Sequence, residues 1–288
     1  MHVLTTRRFT FSASHRYWRP EWSDERNLAT FGKCTNLYGH GHNYELFVTV
    51  AGPVDPMTGM VMNVTDLKRI VNTVLDEFDH KHLNEDTPYF RETVPTTENI
   101  VQVLWRLIGP QLPAGVDLHK LRLYENADLY ADYTGALTSF SRRYEFAAGH
   151  RLHAPNLSDA DNREIYGKCN NANGHGHNYQ LEVSIGGAVD PATGMVIDLV
   201  AMDGQVAAIL AEFDHKHLDK QVADFQDKPS TAENILLVLW DRLQNAFGPQ
   251  LQHLRLWETA NNVFDYSGST SPQISGPLQA KESPNDIQ

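Results

Sequence analysis

The chain has 288 residues, of which 41% are hydrophobic, and a formal net charge of −12. This charge argues against partners such as nucleic acid or an anionic membrane surface, because both attract basic patches. No apolar run approaches the roughly 20 residues that a membrane-spanning helix needs, and the first residues lack the apolar segment of a secretory signal. We therefore expect a cytoplasmic protein.

A long internal repeat is the main feature of the sequence. Residues 31–44 read FGKCTNLYGHGHNY, and residues 166–179 read YGKCNNANGHGHNY. The same offset of 135 positions relates His15 to His150, far outside this motif. It indicates tandem duplication of a whole domain, because solenoid repeats are only about 20–50 residues long. We predict one domain at 1–135, a second at 142–268 and a disordered tail at 269–288 that is rich in Ser, Pro and Gly.

The first half of each repeat predicts two strands and a helix. Residues 8–15 and 143–150 alternate with a period of two, and residues 40–50 and 175–185, which follow a polar loop, are rich in β-branched and aromatic residues. Asp-Pro turns then lead into a helix. Its apolar positions are Leu67, Ile70, Val71, Val74, Leu75 and Phe78, and in the second repeat Met202, Val206, Ile209, Leu210 and Phe213.

The second half of each repeat predicts another helix and two short strands. The helices begin near Glu98 and Glu233, where Ser230 has the spacing of a capping-box residue and Pro95 takes its place in the first copy. The strands are 121–125 with 130–133, and 254–258 with 263–266. The order ββααββ, present twice and joined near 134–141, predicts an α+β fold with both helices on one face of an antiparallel sheet.

Histidines in each repeat have the spacing of a metal site. Two histidines at positions i and i+2 of a strand point to the same face, and a third ends the neighbouring strand. Three imidazoles suit Zn²⁺ and leave one coordination position open for water or substrate. We therefore expect one Zn²⁺ in each repeat, with these ligands: His15, His40 and His42 in the first, and His150, His175 and His177 in the second.

The only two cysteines, Cys34 and Cys169, occupy equivalent positions. Such a pair is an unusual choice for a structural disulfide, so each is expected to be a free thiol with a local role. Two alternatives remain open from the sequence: a small buried filler, or a fourth ligand that closes an inert metal site. Proximity of the metal and of Lys33 is expected to favour the thiolate of Cys34.

Two further acidic motifs accompany the histidines. The sequence FDHKHL occurs at 78–83 and 213–218. Its aspartate can orient the adjacent histidine for proton transfer. The alternative is a helix C-terminus whose exposed carbonyls interact with the histidines. Glu125 and Glu258 end otherwise apolar strands. A ligand with two N–H donors would satisfy such a carboxylate, although a solvated strand end is also possible.

These residues together resemble the 6-pyruvoyltetrahydropterin synthase family. The resemblance covers nearly all of both repeats and rests on these motifs of the first: FSASH at 11–15, GKC at 32–34, HGHNY at 40–44, DPMTGMVMN at 55–63, Asp79-His80, TTEN at 96–99 and Tyr124-Glu125. It implies the tunnelling fold, in which ββααββ units assemble through their sheets into a β-barrel, with sites between units.

The resemblance also implies roles for individual residues. In the family three histidines bind zinc, a cysteine is the base, an aspartate–histidine pair from an adjacent unit completes a triad with it, and a glutamate anchors the pterin. Carried over, the catalytic residues are Cys34, Asp79, His80, Cys169, Asp214 and His215. The substrate-binding residues are Glu125, Thr96 and Glu98 in the first repeat, and Glu258, Thr231 and Glu233 in the second. Ala232 replaces the second threonine of the TTEN motif, which leaves one pterin contact of the second repeat in doubt.

The implied reaction converts 7,8-dihydroneopterin triphosphate to 6-pyruvoyltetrahydropterin and triphosphate. The implied partners are this pterin substrate and further copies of the chain in a homo-oligomer. The 6-carboxytetrahydropterin synthases of the queuosine pathway are an alternative, but that branch tends to have a shorter gap than the one between Cys34 and His40. A non-catalytic zinc- and pterin-binding module is a second alternative. Which unit supplies the Asp–His pair to each cysteine stays open from the sequence.

Overall fold

The computed structural model describes residues 2–268, so the predicted tail at 269–288 lies outside the described residues. Ten strands and eight helices occur within that range. The strands are β1 (Val3–His15), β2 (His40–Gly52), β3 (Lys81–His82), β4 (Asp117–Asn126), β5 (Leu129–Tyr133), β6 (Thr138–His150), β7 (His175–Gly187), β8 (Lys216–His217), β9 (Leu251–Thr259) and β10 (Asn262–Tyr266). The helices are α1 (Asp24–Phe31), α2 (Val64–Leu75), α3 (Leu83–Asp86), α4 (Thr97–Ile108), α5 (Asp159–Tyr166), α6 (Leu199–Leu210), α7 (Leu218–Gln221) and α8 (Ala232–Phe247).

The contacts divide the chain into two compact units. The first contains the chain up to Arg142 together with Ile185–Gly204, and the second contains Arg143–Ser184 and the chain from Gln205 onward. The strand order in the first unit is β6-β5-β4-β2-β1-β3, and only the first residues of β6 belong to this unit. The strand order in the second unit is β10-β9-β7-β6, and β8 also pairs with β6. Neither order returns to its first strand, so neither unit closes a barrel by itself within residues 2–268.

The mixed α+β architecture agrees with the sequence prediction. In the first unit β1 pairs antiparallel with β2 over its whole length, and buried residues alternate along both strands. One face of the sheet and the helices α2 and α4 share a single core, whose members include Phe11, Tyr44, Leu46, Leu67, Phe78, Ile100, Leu104 and Leu121. Both helices therefore cover the same face of the sheet, as the periodicity predicts.

Four details differ from the sequence prediction. The polar loop after β1 contains α1, which is capped by Ser23 and has only two buried residues, so its apolar periodicity is weak. Thr96 and Thr231, not Ser230, cap α4 and α8. The predicted connection at 134–141 includes the start of β6. The sheet is also not purely antiparallel, because β3 pairs parallel with β1 and β8 pairs parallel with β6.

The segment Ile185–Gly204 completes the first unit. The hydroxyl group of Thr96 donates to the carbonyl of Gly194 over 2.5 Å, and the backbone N–H of Val196 donates to Oε1 of Glu98 over 3.1 Å. Met195 is only 5% exposed. Glu98 is itself only 3% exposed, and burial raises the pKa of its carboxyl group from 4.5 to about 7.

The raised pKa of Glu98 predicts a loss of stability with increasing pH. An acid whose pKa is higher in the folded state stabilises the fold below its unfolded pKa of 4.5, and this contribution is lost as the pH rises through about 7. The full effect is about 3 kcal/mol at most, because each pKa unit corresponds to about 1.4 kcal/mol. Glu98→Gln should therefore gain stability over the unchanged chain between pH 5 and pH 8, as measured by urea unfolding. Glu92→Gln, at an exposed site, should show no such trend, and equal trends for both variants would contradict the prediction.

Candidate metal centre and active site

Three imidazoles of the first unit meet at the end of its core face. The register of β1 and β2 pairs His15 with His40 and Ala13 with His42. Because alternate side chains of a strand share a face, His40 and His42 continue the row of buried residues that begins at Tyr44. His15 Nε2 and His40 Nε2 lie 3.2 Å apart. The sequence prediction of three converging histidines agrees with this geometry.

The second unit repeats the arrangement with His150, His175 and His177. His150 Nε2 and His175 Nε2 lie 3.1 Å apart. In each unit the first histidine turns its other nitrogen to a backbone carbonyl just before a helix: His15 Nδ1 lies 2.9 Å from Pro95 O, and His150 Nδ1 lies 2.7 Å from Ser230 O. A carbonyl can only accept, so Nδ1 carries the proton and Nε2 offers a lone pair to the cluster.

Both clusters could hold a divalent metal ion. Burial lowers the pKa of His15 to about 4, and burial also lowers the pKa of His40, His150 and His177. These imidazoles are therefore neutral at physiological pH, which is the form that binds metal. One ligand atom from each member of a group lies within 4.8 Å of the others, and the first group also contains Glu125. Within the described residues, buried His42 Nε2 has no hydrogen-bond partner, which an ion would satisfy.

The two glutamates lie beside the clusters in different surroundings. Glu125 extends the buried row of β4; its Oε2 accepts from Thr97 Oγ1 over 2.5 Å and from the hydroxyl of Tyr17 over 3.2 Å. Its Oε1 lies 3.3 Å from His42 Nε2. Glu258 Oε1 lies 3.9 Å from both His150 Nε2 and His177 Nε2. Both glutamates that the sequence predicts as substrate-binding residues therefore lie beside a histidine cluster.

Cys34 lies in an apolar cluster with Tyr17, Phe31 and Met195. Burial raises the pKa of its thiol to about 11, and the charge of Glu125 raises it further, whereas Arg142 lowers it. Lys33 is exposed and is not among the groups that shift this pKa, so the expectation that Lys33 favours the thiolate is wrong. Neither cysteine belongs to the candidate metal groups found within residues 2–268, and both are free thiols.

The aspartate–histidine pairs have the same geometry in both units. Asp79 Oδ2 lies 2.9 Å from His80 Nδ1, and Asp214 Oδ2 lies 2.9 Å from His215 Nδ1. The backbone N–H of Ser12 donates to Asp79 Oδ1 over 2.8 Å, and this bond and the contact with His80 lower the pKa of Asp79. His80 and His215 adopt φ values of 57° and 56°, a strained conformation for residues other than glycine that is typical of functional sites.

The pair of the first unit borders an open cleft. His80 is 82% exposed and lines this cleft with Ser12, Ser14, His42, Asn43 and Lys81. Ser12, Ser14 and Asn43 alternate with the buried residues of β1 and β2, so they face the opposite side of the sheet. Cys34, among the residues described, does not line this cleft.

The four remaining predicted substrate residues lie at the starts of α4 and α8. Thr96 is buried and caps α4, and the hydroxyl of Thr231 caps α8. Glu98 is buried, whereas Glu233 is exposed. No sequence pattern indicates Tyr17 as a partner of Glu125, and the family resemblance implies only a pterin contact for Thr97. Comparison of the repeats could have found both, because Leu152 and Ala232 occupy the equivalent positions.

Comparisons with known proteins agree with this description. The model of the 6-pyruvoyl tetrahydropterin synthase family matches residues 4–136 and again residues 139–269. The chain is 49% identical over 131 residues to the 6-pyruvoyl tetrahydrobiopterin synthase of Pongo abelii and 48% identical over 131 residues to that of Homo sapiens; each match covers 45% of this chain and 90% of the relative. The solved structure of the Caenorhabditis elegans 6-pyruvoyl tetrahydropterin synthase is 41% identical, with a TM-score of 0.45, and the match covers 46% of this chain and 96% of that one.

The family match covers both repeats, and each single-copy relative aligns with about half of the chain. The chain therefore belongs to the 6-pyruvoyl tetrahydropterin synthase family and contains two tandem copies of its domain.

Proposed function

We propose that the protein is a zinc-dependent lyase that converts 7,8-dihydroneopterin triphosphate to 6-pyruvoyltetrahydropterin and triphosphate. The observation that carries this proposal is the combination, in each repeat of a family member, of three converging imidazoles, a carboxylate beside them and a free thiol. Zn²⁺ is the proposed ion, because three imidazoles match its preferred ligands and leave a coordination position open. When bound, the ion supplies positive charge that acidifies a nearby substrate hydroxyl and its adjacent C–H.

The proposed roles of the protein groups follow from their surroundings. Glu125 and Glu258 are carboxylates able to accept two N–H groups of a pterin ring, which orients the substrate side chain toward the histidines. Cys34 and Cys169 are proposed to remove the proton from carbon. A thiol with a pKa of about 11 is a weak source of thiolate at neutral pH. A divalent cation beside Cys34 would lower this pKa, so the metal and the base are proposed to work as a unit.

Asp79–His80 and Asp214–His215 are proposed to act as proton-transfer pairs at cysteines that lie outside their own units. Two observations support this: the side chain of His80 is 82% exposed, and Asp79 is already fixed by the N–H of Ser12. A pair held in this way keeps the orientation of its imidazole until a neighbouring unit supplies the thiol. The position of the pair thus favours an assembly of several units.

The cysteine pair offers a direct test of the proposed function. Cys34→Ala combined with Cys169→Ala should lower the rate of triphosphate release from 7,8-dihydroneopterin triphosphate by about 10²–10⁴, because a positioned base typically contributes this factor. The content of zinc per chain should stay unchanged. Mass spectrometry of the product of the unchanged chain should find 6-pyruvoyltetrahydropterin.

Each single cysteine variant serves as the control that assigns turnover to one repeat or the other. A 6-carboxytetrahydropterin product would replace the proposed reaction with that of the queuosine pathway, and binding of pterin without triphosphate release would indicate a binding module. Loss of zinc in the double variant would make cysteine a ligand instead of a base.

We also propose that the chain forms a homo-oligomer in which one copy covers the second repeat of another. The segment 189–199 is held in the first unit through Thr96 and Glu98. Its counterpart 54–64 exposes apolar side chains, with Met57 93% and Met60 41% exposed. Glu233, the counterpart of Glu98, is exposed as well. The same contacts could therefore form between segment 54–64 of one chain and the start of α8 in another. The predicted domains 1–135 and 142–268 would then alternate around a barrel of the tunnelling type.

This assembly predicts different effects of two methionine variants. Met60→Asp should lower the mass of the oligomer measured by light scattering, because Met60 corresponds to Met195, which is buried at 5% exposure in the first unit. Met57→Asp is the matched control, since Ala192 at the equivalent position stays exposed even in the first unit. An unchanged mass for Met60→Asp, or equal effects of both substitutions, would refute the proposed contact.

The remaining expectations about partners and location are proposals of the same kind. We propose that the protein acts in the cytoplasm. We also propose that it binds neither nucleic acid nor membrane, because its net charge of −12 does not favour such anionic partners. Within residues 2–268, no helix combines the length and the apolar character that crossing a bilayer requires.

A further inference from the structure

The carboxylates beside the two histidine clusters differ in what holds them. Glu125 Oε2 accepts hydrogen bonds from two hydroxyl groups, those of Tyr17 and Thr97. Both bonds end on the same oxygen, so Oε1 is left directed toward His42 Nε2, 3.3 Å away. The side chain of Glu125 is only 7% exposed, so little water can compete for its free oxygen. The carboxylate is therefore fixed with one oxygen against the cluster.

The second unit lacks both hydroxyl groups. Leu152 stands where Tyr17 stands in the first repeat, and Ala232 stands where Thr97 does. The side-chain amide of Asn262 instead donates to Glu258 Oε2 over 3.2 Å. Oε1 of Glu258 is 3.9 Å from the two nearest imidazole nitrogens, and its side chain is 15% exposed. The second carboxylate thus lies farther from the histidines and is more accessible to water.

The distances in the first unit match the spacing of ligands around one ion. Two ligand atoms at about 2.0–2.1 Å from a tetrahedral zinc ion lie about 3.3–3.4 Å apart. The separation of His15 Nε2 from His40 Nε2 is 3.2 Å, and that of His42 Nε2 from Glu125 Oε1 is 3.3 Å. The corresponding carboxylate distance in the second unit, 3.9 Å, exceeds this spacing. Glu125 belongs to its candidate metal group, whereas Glu258 does not belong to the other.

We propose that in the pterin-free protein Glu125 is a fourth metal ligand of the first centre, fixed there by Tyr17 and Thr97, and that pterin takes its place at the ion, whereas the second centre has three histidine ligands and an open position. The inference rests on the proposed function, because it assumes that both clusters bind a divalent ion. Four protein ligands are typical of structural zinc sites, and three with an open position are typical of catalytic sites. The first centre therefore holds its ion more tightly in the pterin-free protein, and the second is the one ready to accept substrate.

The experiment compares the two centres in full-length chains that contain only one of them. His175→Ala with His177→Ala leaves the first centre, and His40→Ala with His42→Ala leaves the second. Zn²⁺ affinity is measured by competition with a chromophoric chelator, and the visible absorption of Co²⁺ in each chain reports the number of ligands. The first centre should bind Zn²⁺ at least about 10-fold more tightly and give the Co²⁺ spectrum of a site with four protein ligands.

Matched substitutions separate ligation from general packing. Glu125→Ala should weaken Zn²⁺ binding at the first centre and change its Co²⁺ spectrum, whereas Glu258→Ala should change neither property of the second centre. Tyr17→Phe with Thr97→Val keeps the shape of both side chains but removes both hydroxyls, and it should weaken Zn²⁺ binding by about 10–100-fold, as loss of groups that orient a ligand typically does. Tyr17→Phe with Thr97→Ser, which restores one hydroxyl, should recover part of this loss.

The reciprocal exchange Leu152→Tyr with Ala232→Thr and Asn262→Leu should tighten Zn²⁺ binding at the second centre. Equal affinities and identical Co²⁺ spectra for the two centres would overturn this inference and leave the proposed function intact. Absence of bound Zn²⁺ at both centres would overturn the inference and the proposed function together.

Discussion

The site of each unit depends on one constraint: alternate side chains of paired strands must lie on the same face of the sheet. His15, His40 and His42 occupy positions of the core face, in line with Ala13, Phe11 and Tyr44. His15 is fully buried there, where a charged imidazole is unfavourable, and this burial lowers its pKa to about 4. The packing that stabilises the fold thus keeps the ring of His15 neutral and holds the three rings close together, as metal binding requires.

The start of the second long helix takes part in the same arrangement. Pro95 O accepts from His15, Thr96 caps α4, and Thr97 donates to Glu125. Three consecutive residues thus orient a histidine, begin the helix and fix the carboxylate. A shift in the start of α4 would displace all three groups at once, so the position of the helix cap determines the geometry of the site.

Periodic patterns explain which features the sequence predicted. The strands, the main helices and the convergence of the histidines follow from residue spacing and could be predicted. Helix α1 could not be predicted from periodicity, because only Asn27 and Phe31 are buried on it and it lacks an apolar stripe. The contact between Tyr17 and Glu125 could not be predicted for another reason. The two residues are 108 positions apart, and no local pattern connects them. The raised pKa of Cys34 is due to burial in a cluster that includes residues as distant in sequence as Met195. The residues adjacent to Cys34 in the sequence, such as Lys33, do not indicate this burial.

The duplication separates backbone effects from side-chain effects within one molecule. The strained φ of His80 recurs at His215, and the hydrogen bond to Asp79 recurs at Asp214, so the framework around both sites is nearly the same. The environments of Glu125 and Glu258 nevertheless differ. The hydroxyl groups of Tyr17 and Thr97 donate to Glu125, whereas the side-chain amide of Asn262 donates to Glu258. The difference in distance from carboxylate to histidine thus accompanies a difference in the groups that donate to the carboxylate. Two copies of one fold can in this way surround equivalent carboxylates differently through a few substitutions that leave the strands, the helices and the histidines unchanged.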